Sequence, residues 1–162
     1  MLPARWSLVL YVRTSVVSVA AVLILSAAQK YWAVRAYQVG ETNGLGLTLS
    51  AVVYQESSYC QNKVNGWSRG CGGLKRSTAR LYDPEVTRAE LTEDNSRNLR
   101  DSLLYLLDCR KQTDTWRRMV YAYHYGIPAA RLASVVEINS DGYVKAIERK
   151  VKILESIKVS ED

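Results

Sequence analysis

Apolar residues recur at helical spacing in four separate segments of this chain, and no segment alternates apolar with polar residues for the length of a strand. Leu49, Val52 and Val53 make the first stripe, and Leu99, Leu103 and Leu106 the second. Trp116, Met119, Val120 and Tyr123 make the third, and Val144, Ile147, Val151 and Leu154 the fourth. Each stripe turns one face of a helix toward a core, so the pattern predicts a mostly α fold. Asp94 and Asn95 stand where a cap belongs before the second stripe, and Gly126 and Pro128 stop the third. A short hairpin fits residues 66–74. With 162 residues, 48% of them apolar, the chain can close one compact domain around a core without a metal or disulfide staple. No repeat unit recurs, which excludes a solenoid or propeller.

Residues 14–28 (TSVVSVAAVLILSAA) carry no charge. As a helix they rise only ~22 Å, against a hydrocarbon core of ~30 Å. Residues 7–13 supply the missing length, with Arg13 as a cation that has to snorkel or face a partner. Trp6 before the run and Trp32 after it are about 39 Å apart along a helix, the separation of interfacial aromatic belts. This favours a retained anchor that enters the membrane through residues 7–28. A cleaved signal peptide ending near Ser26-Ala27-Ala28 and a buried core helix are the alternatives. The expected organisation is a hydrophobic helix over 1–30, a linker over 31–44 ending in Gly40 and Asn43-Gly44, and a domain over 45–158.

The net charge of +6 is spread in local pairs such as Lys75-Arg76 and Arg117-Arg118, with no zinc-finger, RRM or basic-zipper pattern beside them. Nucleic acid is therefore not the expected primary partner. The charge favours any anionic surface without choosing among them.

Glu56 continues the first stripe, seven residues after Leu49. A carboxylate there either reaches water at the helix end or is partly desolvated, and desolvation raises a carboxyl toward the range a general acid needs. A loop follows with four glycines between positions 66 and 73, which let backbone approach a ligand closely, although no Gly-Lys-Ser/Thr phosphate signature is present.

These motifs resemble the lytic transglycosylase family, whose fold is similar to goose-type lysozyme. That family has a helix ending in Glu-Ser, a Ser-x-Gly loop closing on Gly-Leu, and a following Thr-Ala. Here stand Glu56-Ser57, Ser68-Arg69-Gly70-Cys71-Gly72-Gly73-Leu74 and Thr78-Ala79. The family's Asn-to-Tyr-Leu signature is echoed by Asn98 through Tyr105-Leu106, and its Ala-Tyr-Asn-x-Gly by Ala122-Tyr123-His124-Tyr125-Gly126. Its late Tyr-Val is matched by Tyr143-Val144, and all of these come in family order over about residues 45–155. The chain departs from the pattern where Lys75-Arg76 replaces Met-Gln, Ser102 replaces a glycine and His124 replaces an asparagine.

The resemblance implies a lysozyme-like domain that cleaves peptidoglycan, with Glu56 as the single catalytic acid and base. It places Ser68 near the scissile sugar or Glu56, Tyr123 along the cleft, and Gly73, Tyr105 and His124 around the substrate. Lys75 or Arg76 would reach the muramyl peptide where the family glutamine is missing. A small domain behind one anchor suits a bacteriophage virion or release protein, or a bacterial envelope enzyme. Two alternatives stay open. One is a non-enzymatic virion or envelope scaffold, in which Lys75 or Arg76 pairs with Glu56. The other is a hydrolase with a second carboxylate among Asp83, Glu85, Glu90, Glu93 and Asp94.

His124 is the only histidine, and Cys60, Cys71 and Cys109 form no zinc spacing with it, so neither a metal nor another cofactor is expected. In an oxidising compartment Cys60 can pair with Cys71 or with Cys109.

Overall fold

The computed structural model describes residues 25–158. It is mostly helical, as the stripes predict. The expected hydrophobic helix over 1–30 lies almost wholly outside the described residues. Among the described residues no helix is long and apolar enough to cross a membrane.

The segment read as a linker over 31–44 is instead mostly helix. Helix α1 (Ala27–Glu41) opens on a capping box, in which Ser26 Oγ accepts from Gln29 N–H and Gln29 Oε1 accepts from Ser26 N–H. Ala33, Ala36 and Gly40 recur on one face of α1. Their small size lets the helix lie against α2 (Gly46–Ser57), where Ser50 Oγ donates to Ala33 O at 3.3 Å. At Gly40 an added Cβ would stand 2.8 Å from Leu45 O, too close for any other residue. Small residues at helical spacing carry little hydrophobicity, so this face reads as linker when only large apolar side chains are counted.

Helix α2 is buried nearly all round: Leu49, Ala51, Val52 and Val53 are fully enclosed. A meander of three two-residue strands follows, β1 (Val64–Asn65), β2 (Ser68–Arg69) and β3 (Leu74–Lys75), antiparallel in that order. The short α3 (Arg76–Ala79) and α4 (Arg88–Glu93) lead to α5 (Asn95–Lys111), whose Asp94 cap accepts from Arg97 N–H. Leu99, Leu103 and Leu106 turn inward from α5. Helix α6 (Trp116–Tyr125) starts at a Thr115 cap and ends at Gly126, where φ is +93°. Two short helices, α7 (Ile127–Leu132) and α8 (Val135–Ser140), precede the long α9 (Gly142–Lys158), from which Val144 and Ile147 are buried and Val151 and Leu154 half-buried. Trp116 does not only pack: its indole N–H donates to Thr48 Oγ1 at 3.0 Å, tying α6 to α2.

Of the two cysteine pairings open to the sequence, Cys60–Cys71 forms, and Cys109 is a free thiol buried on α5.

Candidate active site

Glu56 sits in the last turn of α2, and the chain reverses directly after it. Ser58, Tyr59 and Cys60 all have positive φ, a costly run for side chains with a Cβ. Three contacts hold that reversal. The Cys60–Cys71 disulfide joins it to the glycine-rich loop. Ser57 Oγ donates to Cys71 O at 2.7 Å and accepts from Cys60 N–H at 2.8 Å. Asn98, fully buried on α5, accepts from Gly72 N–H at 2.7 Å and donates to Arg69 O and Leu91 O at 3.1 Å each. A buried amide that meets three backbone groups fixes their relative positions more narrowly than apolar contact can.

The loop so held presses Gly73 onto the carboxyl of Glu56. Gly73 has φ +63°, and an added Cβ would lie 2.5 Å from Glu56 Oε2. Both the backbone conformation and the contact require glycine there. The other oxygen, Oε1, accepts from the Tyr143 hydroxyl at 2.6 Å. Burial first, and the nearby Glu56 charge second, push the Tyr143 phenol well above its ordinary value, so it stays protonated and remains a donor. His124 stacks on Tyr143 with ring centroids 4.1 Å apart and brings Nδ1 to 3.9 Å from Glu56 Oε1. The Glu56 side chain is 13% exposed and that of His124 is 40% exposed. The carboxyl is therefore sheltered by Gly73, Tyr143 and His124, of which His124 is exposed to solvent.

The sequence-predicted residues divide into three groups. Glu56, Gly73 and His124 come together. Tyr123 is buried and donates to Gly72 O at 2.8 Å, so it supports the loop from within rather than lining a cleft. Tyr105 is a further layer back, its ring 5.2 Å from that of Tyr123 and its hydroxyl donating to Ala122 O. Ser68 on β2 pairs with Lys75 on β3, and Lys75, two residues beyond Gly73, is exposed. Arg76 donates through Nε to Val86 O at 3.2 Å.

Tyr143 and Asn98 were not among the expected site residues, although both fall inside the quoted motifs. Asn98 stands one position before the Leu99 stripe and reads as the solvent side of a helix. Its burial and its bonds to the loop appear only in the folded chain.

Most of the carboxylates left open as second catalytic groups have structural work. Asp83 is bound by Arg97 and Arg100, Glu90 by Arg97 and the Thr87 cap, and Asp94 caps α5. Glu85 and Glu93 are exposed. Asp141, near Tyr143 in sequence, accepts from Val144 N–H and the Tyr125 hydroxyl. Among the described residues no cluster of histidine, cysteine and carboxylate side chains could hold a metal ion. No protein-family model, curated protein or solved structure matches the chain.

Proposed function

We propose that this chain is a peptidoglycan lytic transglycosylase with a lysozyme-like domain, working in the cell envelope or carried in a phage virion. The observation that carries the reading is the setting of Glu56: one sheltered carboxyl, held by a phenol and a glycine beside His124, with no lysine or arginine ion pair to it among the described residues. The Glu56 acid donates its proton to the glycosidic oxygen between N-acetylmuramic acid and N-acetylglucosamine as the C1–O bond breaks. The acetamido oxygen of the muramyl sugar closes on C1 and carries the positive charge. Glu56, now a carboxylate, takes the proton from the C6 hydroxyl, and O6 displaces the acetamido oxygen from C1. The products are a 1,6-anhydromuramyl end and a free hydroxyl, with no water consumed and Glu56 protonated again.

The commitments of Asp83, Glu90 and Asp94 favour this single-carboxylate route over a two-carboxylate hydrolase. The scaffold alternative calls for Lys75 or Arg76 on Glu56, and Arg76 is bonded elsewhere. Anchoring through residues 7–28 belongs to the same proposal; residues 7–24 lie outside those described, and within the remainder Ser26 caps the start of α1.

The test is digestion of purified peptidoglycan by the full chain, with mass spectrometry of the released fragments beside Glu56→Gln. Anhydromuramyl fragments that disappear in the variant are the expected result. Reducing-end fragments would assign hydrolysis, and intact wall in the presence of folded protein would move the reading to the scaffold.

A further inference from the structure

One titratable group stands close to Glu56 without a bond to it. His124 Nδ1 lies 3.9 Å from Glu56 Oε1, too far for a hydrogen bond and within reach of an ion pair. The ring is held there by its neighbours. It stacks on Tyr143 with 16° between the planes, and Tyr125 meets it edge-on at 4.5 Å. Both braces are fixed in turn, Tyr143 by its bond to Glu56 Oε1 and Tyr125 by its bond to Asp141 Oδ2 at 2.9 Å. The charged groups that these contacts bring toward the ring are carboxylates. Glu56 on α2 is the nearest, while Asp141, ahead of α9, and Glu137, on α8, are reached through the hydroxyls of Tyr125 and Tyr121. The loop over Glu56 presents Gly73, which has no charge, and α9 presents the Tyr143 phenol, which stays protonated. Lys75 on β3 and Lys145 on α9 are exposed and make no ion pair with Glu56.

We propose that His124 is a positioning residue for the Glu56 proton: a protonated ring holds Glu56 as a carboxylate and slows cleavage, and a neutral ring leaves it free to stand as the acid. The inference rests on the transglycosylase reading above. An imidazole changes charge between about pH 5 and 8. The neutral ring is beyond hydrogen-bond distance, so the Tyr143 hydroxyl is then the donor to Oε1. The imidazolium instead puts a positive charge 3.9 Å from Oε1, beside a side chain only 13% exposed, where water screens the attraction less than at an open surface. That attraction favours carboxylate over acid, and a carboxylate has no proton to give to the glycosidic oxygen. His124 is open to water, so the ring takes its proton from solvent and returns it there, with no other reagent. The asparagine that the resemblance expects at this position carries no charge at any pH, so the control belongs to His124 itself.

The experiment measures kcat/KM on soluble peptidoglycan strands at about pH 5 and about pH 8. It compares the full chain with His124→Phe and His124→Lys, each rate divided by the folded fraction from circular dichroism. Phenylalanine keeps a ring against Tyr143 without a charge, and lysine keeps a charge at both pH values. The ratio of His124→Phe to wild type should be about threefold higher at the lower pH than at the higher. The ratio of His124→Lys to wild type should be smaller at the higher pH than at the lower. A packing role would move each ratio equally at both, so ratios that do not change with pH overturn the proposal. Where His124→Phe does not fold, His124→Gln takes its place. If the wild type releases no fragments at either pH, the transglycosylase reading fails, and the pair is judged without turnover. His124 is the only histidine of the chain, so its ring gives one set of NMR signals. At about pH 6.5 the protonated fraction of that ring should be smaller in Glu56→Gln than in the wild type, and an equal fraction overturns the proposal.

Discussion

Helices α5, α6 and α9 are stacked through apolar stripes, whereas the 57–75 segment beside Glu56 is held by a disulfide, a buried asparagine and a serine hydroxyl. Apolar contact is non-directional and scales with area, so the helical body has many near-equivalent ways to stay together. The loop depends on a few directional bonds, each with one geometry. The first arrangement supplies stability and the second supplies position. Glu56 stands at the seam, on a buried helix of the first kind and under a loop of the second.

Substitutions can pull the two apart. The largest expected loss of stability comes from Leu99→Ala, which empties a fully buried position on α5 and should cost about 2–5 kcal/mol in denaturant unfolding. Any activity loss should then track the unfolded fraction and vanish under stabilising conditions. Reduction of Cys60–Cys71, or replacement of both cysteines by serine, should cost about 3 kcal/mol for a loop of this length. Here wall cleavage should fall further than the unfolded fraction explains, because Gly73 loses its hold on Glu56. If activity and stability fall together, the loop is an ordinary staple and the comparison fails.

Tyr143→Phe makes the smallest structural change and the sharpest test. One hydroxyl is removed, and packing against His124 is kept. Stability should change by less than about 1 kcal/mol, while kcat on peptidoglycan falls about tenfold with KM nearly constant. An unchanged kcat would show that the 2.6 Å bond to Glu56 is incidental.

The same division explains what could be read from the sequence. The stripes at Leu99, Leu103 and Leu106 and at Val144 and Ile147 were legible because burial of large apolar residues has a period. Glu56 was legible because it interrupts such a period with a charge, and Gly73 because a cluster of glycines marks close approach. Directional contacts have no period. Nothing local to Asn98 says that its amide will meet Gly72, Arg69 and Leu91. Tyr143 begins a helix 87 residues from its partner, so only the folded chain brings them together. Arg76 shows a directional contact of the same kind. Its place beside the loop suggests a ligand contact, and the fold adds a bond from its Nε to the carbonyl of Val86 that no local pattern announces. The linker reading of 31–44 failed for a related reason, since a face built from Ala33, Ala36 and Gly40 packs by being small.

An odd number of cysteines usually threatens a structural disulfide, because a spare thiolate can attack it and shuffle the pairing. Cys109 is disarmed by its place on α5. Burial pushes its thiol up to about 12, so at neutral pH almost none of it is ionised, and the sulfur is closed off from solvent. Once the chain is folded, Cys60 and Cys71 therefore have no internal competitor. Oxidation yields one covalent isomer, and the third sulfur serves as packing rather than as a reagent.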